Sequence, residues 1–82
     1  MNNKILLVDD HPLVREWLAS LINQEAEFEV CGAAGTARQA LQLLASVQPD
    51  IAIVDIWMEK GSSGLELIKD IKAIHPHVGT IV

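Results

Sequence analysis

Two apolar runs in this chain end in carboxylates. Ile5 to Val8 leads into Asp9 and Asp10, and Ile51 to Val54 leads into Asp55. Adjacent carboxylates repel each other and are costly to desolvate, so a pair at the end of a buried-looking run calls for a partner cation. Taken singly, each has an ordinary explanation: Asp10 could cap the helix that begins near Pro12, and Asp55 could be a turn residue after a strand. Capping alone does not account for an acidic pair closing one strand and a lone Asp closing another. Gathered at one crevice, the three carboxylates would suit a divalent cation, which relieves their repulsion.

The elements that must gather them can be read from periodicity. Residues 4–8 and 51–55 are nearly continuous apolar runs, as expected of strands covered on both faces, whereas residues 28–32 alternate and suit an edge strand. Val14, Trp17, Leu18 and Leu21 recur at helical spacing, which predicts a helix from about Pro12 to Asn23 with proline in its first turn. Thr36 and Gln39 have capping-box spacing ahead of the stripe Ala37, Ala40, Leu41 and Leu44, and Pro49 stops that helix. Leu67, Ile68, Ile71 and Ile74 predict a third helix from about Leu65, ended by Pro76. Residues 79–82 begin a fourth strand. Strand and helix alternate with short connections, so the helices cross over between parallel strands in an α/β, doubly wound parallel sheet. If the two most apolar strands lie side by side, their carboxyl ends form a topological switch point, where such sheets place ligands.

Composition narrows the function classes. The 82 residues make one small domain, 1–82, and half of them are hydrophobic, which fits a packed core. Net charge is −5 with six Lys and Arg, and no basic run is present, so this segment is not expected to bind nucleic acid. The apolar run before Asp9 is too short for a signal peptide or a membrane span, and the single Cys31 fits a reducing compartment. A cytoplasmic protein without membrane contact is expected.

The stretches "ILLVDDHPLVREWL", "VCGAAGTARQALQLL", "PDIAIVDIWM" and "SGLELIKDIKAIHP" resemble the receiver domain of bacterial two-component response regulators. The "DDHPLVRE" form is similar to the NarL/FixJ-type (LuxR-type) subfamily. The resemblance implies a flavodoxin-like fold with strand order 2-1-3-4. It also implies a phosphoryl switch, in which Asp55 is the nucleophile that accepts a phosphoryl group from a sensor histidine kinase. Asp9, Asp10, Asp55 and the backbone carbonyl of Trp57 would surround Mg²⁺. Such chemistry brings anions together, and a Mg²⁺ held by a few oxygens neutralises them. A C-terminal DNA-binding domain in the parent protein is implied in the same way.

The departures are as informative. Met58 fits the family pattern, but Glu59 stands where proline is common, and Gly64 comes one position late, so the loop "WMEKGSSG" is expected to be one residue longer. Glu59 is expected to face solvent. Receivers carry a hydroxyl residue after the fourth strand and a lysine after the fifth, and this sequence ends at Val82, before both; Thr80 is no stand-in. An uncovered fourth strand and an uncovered face near Trp17 and Leu21 would lead the chain to pair with a second copy, as a homo-oligomer.

Other signals carry less. "GAAG" (32–35) lacks the full glycine pattern of a dinucleotide site, and His11, Cys31, His75 and His77 lack paired zinc-ligand spacing. His11 reads as a loop residue whose protonated form the neighbouring carboxylates favour. Trp17 reads as core or interface, and Trp57 as a shield for a phosphorylated Asp55. Two alternatives stay open: a phosphorylation-independent interaction module that cannot switch, and a small metal-dependent enzyme handling phosphate in the same crevice.

Overall fold

A computed structural model describes residues 3–55 and 64–81. The element order is β1 (Asn3–Val8), α1 (Pro12–Asn23), β2 (Phe28–Ala34), α2 (Ala37–Val47), β3 (Ile51–Val54), α3 (Gly64–Ile74) and β4 (Gly79–Ile81). The four strands form one parallel sheet in the order β2-β1-β3-β4, as the resemblance implied. The two most apolar strands, β1 and β3, are the central ones.

Alternation along these strands divides the side chains between two layers. Leu6, Val8, Ala52 and Val54 pack under α2 and α3 against Ala40, Leu44, Leu67 and Ile71, all essentially inaccessible to water. Ile5, Leu7, Ile51 and Ile53 face the side that carries α1, where Val14, Leu18 and Ile22 approach them. Cover on that side is thinner. No residue of α1 is fully buried. Trp17 is 61% exposed, so the core half of its expected role is corrected: its indole lies outside the stripe that meets the sheet. Ile74, expected on the apolar face of α3, is 63% exposed because the helix ends there and turns away at Pro76.

Local chemistry fixes the ends. Thr36 caps α2, its Oγ1 accepting the Gln39 N–H at 3.1 Å, while Gln39 Oε1 accepts the Gly35 N–H at 2.9 Å. Gln48 closes α2 in the left-handed region at φ 48° before the buried Pro49. At the amino ends of the strands, Asp50 brackets the sheet: its carboxylate accepts the Lys4 N–H at 2.8 Å, its N–H donates to the Lys4 carbonyl, and its carbonyl accepts from Gly79. β2 extends to Ala34, two residues beyond the expected end, to pair with Val8, and a bulge at Cys31 accounts for one of them: Ile5 pairs with Val30 and Leu6 with Gly32.

Candidate acidic crevice

Parallel register brings the acidic residues level. Val8 pairs with Val54, so Asp9 and Asp55 leave adjacent strands at the same height. The Asp55 N–H donates to the Val8 carbonyl at 2.9 Å and the Asp9 N–H to the Ala34 carbonyl at 3.0 Å, continuing the ladder one step past each strand. Both residues are thereby held at the carboxyl edge of the sheet, beside a crevice of about 430 Å³ between α1 and β3. Its floor is apolar, with Leu7, Ile53 and Leu18, and Asp9 and Asp55 stand at its rim.

One ligand atom from each of Asp9, Asp10, His11 and Asp55 lies within 4.8 Å of the others. The three aspartate side chains are 13%, 10% and 23% exposed, whereas that of His11 is 55% exposed. His11 Nδ1 lies 2.9 Å from both Asp9 Oδ1 and Asp10 Oδ1, and 3.9 Å from Asp55 Oδ2. Its backbone N–H also donates to Asp9 Oδ1 at 2.9 Å. The hydrogen bond to Asp9 and the charge of Asp10 raise the His11 pKa above the ordinary 6.5, in line with the protonated form expected from sequence. The imidazole stands where the carboxylates converge, and they favour its protonated form.

Asp10 does not cap α1. The N-cap is His11, without a side-chain cap, and Pro12 opens the helix. The Asp10 carboxylate instead joins those of Asp9 and Asp55. Among the described residues, Cys31, His75 and His77 stay out of the group that could hold a metal ion. Trp57, Met58, Glu59 and Gly61 lie outside the described residues, so the expected carbonyl ligand, shield and loop glycine are not located. Sequence reasoning missed Arg15, whose Nη1 donates to the Asp9 carbonyl at 2.7 Å. A lone arginine on an amphipathic helix reads as a solvated side chain, and no spacing rule would have singled it out.

Comparisons with known proteins identify the family and the fold. The chain is 42% identical over 73 residues to the transcriptional regulatory protein YdfI of Bacillus subtilis, covering 89% of this chain and 34% of that protein. It is 33% identical over 79 residues to the DNA-binding transcriptional activator DevR/DosR of Mycobacterium tuberculosis, covering 96% of this chain and 36% of that one. It therefore spans about a third of the length of these relatives. The crystal structure of a LuxR-family two-component response regulator from Aurantimonas superposes with a TM-score of 0.89 at 31% identity, over 98% of this chain and 56% of that one. Residues 5–82 match the response regulator receiver domain, and the chain belongs to that family.

Proposed function

We propose that this receiver domain accepts a phosphoryl group on Asp55 from a sensor histidine kinase, with Mg²⁺ in the acidic crevice. The observation that carries the reading is the convergence of Asp9, Asp10 and Asp55 at the carboxyl ends of β1 and β3. The donor set fits the ion: carboxylate oxygens suit a hard divalent cation, and the carboxylates' preference for the protonated form of His11 reflects the same demand for positive charge. Asp9, Asp10, Asp55 and the Trp57 carbonyl would hold Mg²⁺. When bound, the ion supplies charge neutralisation and orientation for phosphoryl transfer.

The protein's own part is positional. A carboxylate oxygen of Asp55 forms a bond to phosphorus as the bond from phosphorus to the donor's histidine nitrogen breaks; that nitrogen keeps the electron pair and a charged phosphoryl–carboxylate anhydride results. Asp55 is anchored for this by its N–H on Val8 and remains partly open to an incoming donor. The parent protein would pass the signal to a DNA-binding output domain, and the domain works in the cytoplasm. Among the described residues no helix is long and apolar enough to cross a membrane.

Intact mass after incubation with acetyl phosphate tests the reading. One added phosphoryl group that requires both Mg²⁺ and Asp55 is expected; no addition to the folded chain would favour a module that cannot be phosphorylated, and turnover of a phosphorylated substrate would favour an enzyme.

Self-association belongs to the same proposal. Trp17 is 61% and Leu13 80% exposed on α1, and among the described residues β4 is an edge strand, with Ile81 52% exposed. The occupant assigned to this surface is a second copy of the chain. A dimer mass by light scattering at micromolar concentration is expected, and a monomer would overturn it.

A further inference from the structure

Arg15 has no part in the phosphoacceptor reading, yet it reaches from α1 to the loop that carries the acidic pair. Asp9 is tied by its N–H to Ala34, by its carboxylate to the backbone and imidazole of His11, and by its carbonyl to the Arg15 guanidinium. The Arg15 tie is charge-assisted, at 2.7 Å and partly buried.

The guanidinium has a seat. A Cβ built on Gly35 would come within 2.9 Å of Arg15 Nη1, closer than Cβ contacts allow, so a larger residue there would push the flexible guanidinium end from its present place. Gly35 is held in turn by Gln39 Oε1 at the capped start of α2. Arg15, Gly35 and Gln39 also line a polar cavity of about 500 Å³ on this side of the fold. A chain of contacts therefore runs from the α2 cap through Gly35 and Arg15 to the Asp9 backbone.

We infer that Arg15 is a positioning residue for the acidic crevice: seated on Gly35, it holds the Asp9 carbonyl so that the Asp9 and Asp10 carboxylates turn toward Asp55. The inference rests on the reading of the crevice as a Mg²⁺ site. Charge and position predict opposite signs. A fixed positive charge near the crevice repels Mg²⁺, so its loss acting through charge alone would tighten binding. Loss of a group that orients a metal ligand weakens affinity by about 10-fold or more.

The test is Mg²⁺ affinity of the 82-residue chain, read by isothermal titration and by the Asp55 amide shift, in the wild type, Arg15→Met, Gly35→Ala and the double variant. Each single variant is expected to bind Mg²⁺ about 10-fold more weakly with unchanged far-UV circular dichroism. The double variant should be no weaker than Arg15→Met, because the Gly35 substitution acts only by displacing the guanidinium. Unchanged or tighter binding in a folded single variant, or additive losses in the double, would overturn the assignment. Should Arg15→Met fail to fold, Gly35→Ala decides alone, since its clash falls on the flexible end of a side chain. A wild-type chain that binds no Mg²⁺ overturns the crevice reading together with this one; a binding wild type matched by its variants overturns the positioning role alone.

Discussion

Replacing Asp55 by asparagine should stabilise the metal-free fold. Asp9 and Asp10 are neighbours in sequence and repel each other in the unfolded chain as well, so their mutual repulsion largely cancels between the two states. Asp55 meets them only when β1 and β3 pair. At a separation of 4.8 Å, two unit charges repel by about 0.9 kcal/mol at the dielectric constant of water and by about 3.5 kcal/mol at an effective constant near 20. The crevice is partly open to water, which favours the lower figure, and salt reduces it further. Two such pairs vanish in Asp55→Asn, giving an expected gain of about 1–2 kcal/mol at low ionic strength and a pH high enough to leave His11 neutral. Below that range, protonated His11 offsets part of the repulsion and the gain should shrink. Urea unfolding of both proteins in chelator-treated buffer at several pH values is the assay, repeated with saturating Mg²⁺, which should favour the wild type. A variant no more stable than the wild type at high pH would refute the premise that Asp55 adds net repulsion to the converging carboxylates.

The remaining expectations concern His11, the α2 cap and the core. The folded pKa of His11 lies above its ordinary value, so its contribution to stability is fully present below about pH 6.5 and is lost as pH rises through the folded pKa. A ring-proton NMR titration of His11 with a midpoint at or below that of an unperturbed histidine would contradict this. Thr36→Ala removes the hydrogen bond to the Gln39 N–H and should cost about 1 kcal/mol in urea unfolding; Thr36→Ser should retain most of it. Leu67→Ala empties a fully buried site under α3 and should cost about 3 kcal/mol, a large part of the stability expected of so small a domain, with a corresponding fall in the urea midpoint.

The sheet and the acidic site were legible because they depend on patterns written along single strands. Continuous apolar runs at Ile5–Val8 and Ile51–Val54 identified the central strands, and parallel pairing then forced the residues after them to one edge. The capping spacing of Thr36 and Gln39 located α2 for a similar reason, since a cap is decided within a few residues. Features that depend on three-dimensional adjacency were not legible. The Cys31 bulge shifts register by one residue without altering the hydrophobic pattern enough to announce itself. Trp17 follows the apolar stripe of α1 in sequence yet is exposed in the fold, because periodicity shows which face is apolar but not how far it is covered. The Arg15 contact with Asp9 lies beside Gly35 on a different loop, and sequence spacing links none of the three.

The central claim is that Asp55 is the phosphoacceptor among three converging carboxylates, and borohydride trapping tests it most directly. The chain would be incubated with acetyl phosphate and Mg²⁺, reduced so that an aspartyl phosphate becomes homoserine, digested and sequenced by tandem mass spectrometry. Homoserine at position 55, absent without Mg²⁺, is the expected result. Homoserine at position 9 or 10 instead, or labelling indifferent to Mg²⁺, would contradict the account.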